Sequence, residues 1–550
     1  MKSLFTLVIG CLLATSAQAQ IDIGPEQWQA DLRFLQSTVH DDYSFLFRKT
    51  TAEQFDAAVD QLHDSIPKMQ EHEIVTGLAR IVAMFGYGHT RVGIEQSRFH
   101  YHMLPINLYQ FSDGVFIEGA HKDHASLVGA QLVAINGVAV DQALEAIRPV
   151  VPVENEQYFK ANGLMYVCSP EVLHAQGIID QLDNDITLTL QRDGQAFEET
   201  LTARRTHRFP RAYGFVKPGD DWITARPAEN TPLYLKQLDR IYYFEYLPEQ
   251  KTVYVRHSQI QDDPEEDIPA FYQRLFEFIE ENDVEKLVLD VRLNGGGNNY
   301  KNKPIVTGVI RSDKINQPGK FFVIIGRRTF SACQNLVNEL DNYTNAVFVG
   351  EPTSENINFY GDNRRVELPN SKIPVFLSFA WWQDKPPWEN EDWIAPHVAV
   401  DVSFADYAAN RDPVLDAALG FSGDDFIIDP MAHLSALFQA GKREELQALA
   451  EQLVNDPRYQ FVNFETEANE VGYQLLNDNQ LEAAMFVFQL NNKLYPDSAN
   501  TWDSLAEVNW KAGEIEQAIE LYNKAIELDP DGPVGDNART MLKQIEHDDQ

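Results

Sequence analysis

Three features of the chain combine residue types suited to covalent chemistry. The first is Ser331. It follows an apolar run, Phe321 to Ile325, and Gly326, and it precedes a helix-like segment from Ala332 to Leu340. A serine at a strand-to-helix corner presents its hydroxyl at the end of a sheet, next to the open N–H groups of a helix start. The same position also suits a serine that only caps the helix. The second feature is Gly295 to Gly297, behind the apolar stretch Leu287 to Leu289 and Asp290. Glycines leave backbone N–H groups that no side chain shields, which suits an oxyanion. This run lacks the lysine and the spacing of a phosphate-binding loop. The third is His89, in Gly86-Tyr87-Gly88-His89-Thr90. Glycines on both sides of Tyr87 indicate a tight turn, with His89 on a loop or strand start. A lone histidine is usually structural; as an imidazole it is also the side chain that exchanges a proton near neutral pH. No metal-ligand cluster and no cofactor motif is present, so neither a metal nor a cofactor is expected.

The elements that must position these residues are legible in outline. Residues 21–98 read as an N-terminal helical domain, with apolar residues at three- and four-residue spacing over Gln27 to His40, Thr51 to Ser65 and Glu71 to Met84. Residues 100–205 read as a β domain. Gly114 to Gly119 is a strand, Leu127 to Val140 a strand bracketed by glycines, and Asp141 to Ile147 a short helix. Ile186 to Leu190 and Ala196 to Leu201 alternate around Asp193-Gly194 as a hairpin. Residues 206–250 start polar and proline-containing and read as a linker and strand segment. Over 251–420 short buried strands alternate with helices such as Ile268 to Ile279, an α/β layer. The stretch Trp381 to Pro396, rich in Trp, Pro and acid, reads as irregular. From 429 to 550 the chain reads as helical. Pro496 and Pro530 stand 34 residues apart, the tetratricopeptide period. Gly472, Ala484, Phe488, Trp502, Leu505, Ala506, Ala518, Tyr522 and Ala525 fall on that repeat's small and aromatic positions. So few repeats seldom stand alone, and docking onto the preceding domain is expected.

Composition excludes some partners. With 83 acidic against 45 basic residues, the net charge is −38. Such a surface repels nucleic acid and anionic lipid. The first residues read as an export signal: Lys2, an apolar run from Leu4 to Ala14, and Ala17-Gln18-Ala19 with cleavage after Ala19. A periplasmic or secreted protein is therefore expected, and no later stretch is long enough to span a membrane. Two cysteines then remain, Cys168 and Cys333, far apart in sequence; free buried thiols are expected of them.

The run Asp290-Val-Arg292-Leu-Asn294-Gly295-Gly296-Gly297, then Thr329-Phe-Ser331-Ala332 behind an apolar strand, resembles the tail-specific, or C-terminal-processing, serine peptidases. The resemblance covers roughly residues 30–420. It implies a multidomain α/β protein: a PDZ-like domain, for which Leu127 to Ile147 would be the core, ahead of a crotonase-like catalytic domain. It implies Ser331 as nucleophile and the N–H groups of Gly296 and Ala332 as oxyanion hole. One branch of the superfamily activates its serine with a lysine about two dozen residues downstream; here Asn356 stands at that place. The helical start ending in Gly88-His89-Thr90 is similar to the tricorn branch, which implies His89 as general base. In that branch a serine before the histidine and a distant glutamate orient it. Here the preceding residue is Gly88, and Glu389 or Glu391 lies in the stretch matching the glutamate's region. The implied partner is a peptide or protein substrate, with a further protein partner on the tetratricopeptide-like repeats. The fold alone does not make an enzyme: the interphotoreceptor retinoid-binding proteins share it without known peptidase chemistry. A peptide- or small-ligand-binding protein, or a scaffold acting through the repeats, is the alternative.

Overall fold

The computed structural model describes residues 23–94, 99–205, 209–423 and 426–548. The expected export signal and its cleavage point lie outside the described residues.

A six-stranded sheet carries the serine corner. Its order is Tyr242–Leu247, Thr252–His257, Lys286–Asp290, Phe321–Ile325, Ala346–Gly350 and Val398–Ala399. The first pair is antiparallel and the rest are parallel. Parallel strands are covered on both faces, which is why these segments are nearly continuous in Val, Ile, Leu and Phe. On one face Val255, Leu289, Val323 and Ile325 pack under helices Ile268–Glu281, Lys303–Arg311 and Ala332–Tyr343. On the other, Val288, Phe322, Ile324 and Val349 meet Val414 and Leu415, then Leu434, Leu446, Leu453 and Phe464 of the C-terminal helices. Strands Lys286–Asp290 and Phe321–Ile325 are parallel neighbours, with Asp290 opposite Ile324. The glycine run and the serine corner therefore leave the same edge of the sheet.

The β region forms a seven-stranded sheet. The expected single strand over 127–140 is broken: Gln131–Ile135 pairs back on Val138–Ala139, because Asn136 and Gly137 take φ of 46° and 81° and reverse the chain. The segment expected as linker and strand contains both irregular and paired backbone. Trp222–Thr224 adds to that sheet along Gly119 to His121, and Phe215, Tyr234 and Leu235 bury against Phe111 and Tyr407. Helices Pro25–Asp42, Ala52–Ser65 and Glu71–Ala83 share one hydrophobic core with the β region. That core also includes Leu368, Ile373, Val375 and Leu377, from a long hairpin of Asn358–Glu367 and Pro374–Gln383. Trp381 to Gln383 close this hairpin, so the irregular stretch begins only after them.

Seven helices from Pro430–Gln439 to Pro533–Asp548 complete the described chain. Ala484, Phe488, Ala506, Ala518, Tyr522 and Ala525 are all in their core, and a side chain at Gly472 would collide with the Phe488 ring. Cys168 and Cys333 are free and buried.

Candidate active site

Ser331 is the residue before helix Ala332–Tyr343, and its backbone is strained, with φ 57° and ψ −129°. A non-glycine residue there costs on the order of 1–3 kcal/mol, and it persists only where the surroundings over-determine it. Those surroundings are visible. Thr329 Oγ1 accepts from Gly326 N–H at 3.1 Å and donates to Val291 O at 3.0 Å. Phe330 N–H donates to Asn294 O. The Ser331 amide donates to Glu355 Oε2. The hydroxyl makes no side-chain cap bond at this helix start. The capping reading of Ser331 therefore fails.

His89 reaches Ser331 across 242 residues: its Nε2 lies 3.0 Å from Ser331 Oγ. The reach has a local cause. After the turn at Gly86, φ 65°, the chain passes Gly88 and His89 and joins the long hairpin as a third strand, with Arg91 and Val92 opposite Phe376 and Val375. Thr90 Oγ1 accepts from Ser378 N–H at 3.1 Å, fixing the entry. The imidazole is stacked on Phe330, centroids 4.7 Å apart and 18° between planes, with Phe359 parallel beyond at 6.2 Å. Gly88 is required by packing, since a Cβ there would lie 2.3 Å from Tyr158 Cε2.

The acid beside the imidazole is neither Glu389 nor Glu391. Both lie in the irregular stretch after the hairpin, with Glu391 exposed. Glu355, fully buried, stands there, its Oε1 3.1 Å from His89 Nδ1. The contact is off-line, and neither atom completes a well-aligned hydrogen bond. Glu355 adjoins Asn356, and no local sequence pattern marks it as the partner of a distant histidine. In the run Thr353-Ser354-Glu355, Ser354 N–H donates to Thr329 O and so ties the run to the serine loop.

A second carboxylate, Glu154, accepts Gly88 N–H at 2.9 Å through Oε2, while its Oε1 is buried without a partner. A lysine does arrive near Asn356, from the N-terminal region. Lys49 Nζ donates to Asn356 Oδ1 at 2.6 Å, Gly86 O at 2.9 Å and Glu154 O at 3.3 Å. It thus pins together the histidine turn, the Glu154 loop and the Glu355 loop. Burial, first, pushes His89 below the ordinary histidine value; Glu154 and Asp362 oppose this and Arg91 adds to it. Burial also raises Glu355 well above the carboxylate range, against the Ser331 amide and Lys49. It raises Glu154 to about 8, with the Glu355 charge second. An uncharged imidazole is the form that accepts a proton.

The expected oxyanion donors divide. No acceptor is found for Ala332 N–H among the described residues, whereas Gly296 N–H is already donated to Asn294 Oδ1 at 2.9 Å. Gly297 N–H is without an acceptor among the described residues and lines the same cavity as Ser331 and His89. Gly296 itself is held tight, since a Cβ there would lie 2.6 Å from Ser331 Cβ. Asp290 takes no part in the site: it is paired with Arg292 at 2.8 Å and accepts the Tyr254 hydroxyl. No group of His, Cys, Asp and Glu among the described residues is arranged to hold a metal ion.

No family model matches the chain, and no curated protein does. Solved structures of peptidases resemble it distantly. Mature CPAF complexed with lactacystin is 13% identical, with a TM-score of 0.47, over 72% of this chain and 98% of that one. A putative peptidase from Parabacteroides merdae is 15% identical, with a TM-score of 0.38, over 74% and 100%. The photosystem II D1 C-terminal processing protease is 14% identical, with a TM-score of 0.31, over 68% and 92%. Likeness at this level leaves function to be argued from the site.

Proposed function

We propose that the chain is a serine peptidase in which Ser331 attacks the peptide carbonyl and His89 is its general base. The observation that carries the reading is the Ser331 Oγ–His89 Nε2 distance of 3.0 Å, made by a serine held in strained backbone at a helix start. His89 takes the hydroxyl proton at Nε2, so its own proton sits on Nδ1, facing Glu355. The oxyanion is stabilised by Ala332 N–H and, with Gly296 committed to Asn294, by Gly297 N–H. The Ser331 amide is excluded as a donor because Glu355 holds it. Collapse of the intermediate passes the proton from His89 to the leaving amine. Water then takes the path of the serine hydroxyl and releases the acyl group.

The remaining parts fit this reading. The β region is PDZ-like and holds a peptide end by strand addition; the helical C-terminal region forms tetratricopeptide-like repeats that recruit a partner; the protein is exported. Among the described residues no helix is long and apolar enough to cross a membrane. The test is hydrolysis of a mixed peptide library by purified protein. Cleavage lost in Ser331→Ala and in His89→Ala supports the assignment; cleavage unchanged in either removes that residue from it.

A further inference from the structure

The cleft that holds Ser331 is cationic in a chain of net charge −38. Among the described residues Arg91, Arg327 and Arg328 line it, against a single acid, Asp362. A second cavity adjoins it through Ala161, Asn162, Tyr213 and Arg328, and adds Lys160 and Arg211. The two neighbouring arginines differ sharply. Arg327 is fully engaged, bidentate to Glu351 and donating to Gln110 O. Among the described residues Arg328 has one acceptor, Ala161 O at 3.0 Å, and its buried Nε has no partner. Arg91, Lys160 and Arg328 form no ion pair among the described residues.

Arg328 is also built into place. Its guanidinium lies on the backbone of Gly214, φ 89°, where a Cβ would come within 2.4 Å of Nη2. Gly214 is held in turn by Asn107 Nδ2, which donates to Gly214 O at 2.9 Å. A half-buried guanidinium without a carboxylate is costly, and its planar donors suit a carboxylate bidentately. Burial and the nearby charges of Arg211 and Arg327 depress its pKa to about 10, the direction a missing counter-ion gives.

On the peptidase reading of this same site, we propose that Arg328 is a specificity-determining residue that binds a side-chain carboxylate of the substrate. The preferred peptides then carry Asp or Glu within a few residues of the scissile bond. Arg91, Lys160 and Arg328, spread along two joined cavities, fit a run of acidic side chains better than one terminal carboxylate.

The test uses two peptide libraries with amidated C-termini, identical except that Asp and Glu in one are Asn and Gln in the other. Binding is read by fluorescence anisotropy on Ser331→Ala protein, and cleavage on wild-type protein. The acidic library is expected to bind at least about tenfold tighter, the scale of a charged hydrogen-bonded pair. Arg328→Gln should bring the ratio near one, and Gly214→Ala, which displaces the guanidinium, should lower it. Thermal melting establishes that both variants are folded. If neither folds, the wild-type ratio must collapse in about 1 M salt, where charges are screened beyond roughly 3 Å. Equal binding of the two libraries overturns the proposal even if both are cleaved. So does a preference that appears only with free C-termini, which would mean recognition of the chain end. Tight acidic binding without any cleavage would instead sink the peptidase reading and leave the carboxylate site standing.

Discussion

At the residue scale the site depends on keeping groups neutral. Burial holds His89 below the usual histidine value, so its imidazole stays uncharged at pH 7 and, on the proposed mechanism, can accept the proton. The acid limb of kcat/KM is therefore expected below about 6.5, the unperturbed imidazole value. A limb above that value would place another group in the role. His89→Ala should lower kcat by at least about 100-fold, the usual scale for losing a general base. Glu154 offers a stability readout with a definite sign. Its carboxyl is raised to about 8 in the fold, against about 4.3 when unfolded. Between those values the folded state holds the extra proton, so the contribution of Glu154 to stability is lost as pH rises through the window. Glu154→Gln keeps a neutral group there. Its melting temperature relative to wild type should climb between pH 5 and 8, and a constant difference would show that Glu154 is already ionised in the fold.

At the element scale a histidine from a helical segment is delivered to a sheet edge by a two-residue strand. Gly88→Ala tests that delivery. The added Cβ would lie 2.3 Å from the Tyr158 ring and 2.9 Å from Phe330. Stability should fall by about 1–3 kcal/mol, as for overpacking, and peptide cleavage should fall with it; full cleavage would show that the His89 turn tolerates displacement. Much at this scale was legible. The amphipathic helices and the buried parallel strands follow from apolar spacing, and the Ser331 corner from an apolar run meeting a helix. The Asn358–Glu367 and Pro374–Gln383 hairpin was not, because its exposed half is charged and its aromatic residues resemble those of a loop. Glu355 was hidden for a related reason. Its partners, the Ser331 amide and the His89 ring, are set by tertiary packing that no local pattern reports.

At the scale of the whole molecule, the contact between Ser331 and His89 exists only when the N-terminal helices, the β region and the hairpin share their core. The C-terminal helices are bound in as firmly, since Leu434, Leu446, Leu453 and Phe464 cover the far face of the sheet. Each such side chain contributes roughly 1.5–3 kcal/mol when buried. A chain ending at residue 428 is thus expected to melt far lower or to aggregate, and a melting temperature like that of the full chain would refute docking. The most direct test of the central claim is covalent labelling by a fluorophosphonate, with the modified residue mapped by mass spectrometry. The account predicts one adduct, on Ser331, absent from Ser331→Ala and formed at least about 100-fold more slowly in His89→Ala. A folded protein that takes no label, or takes it on another serine, would contradict it.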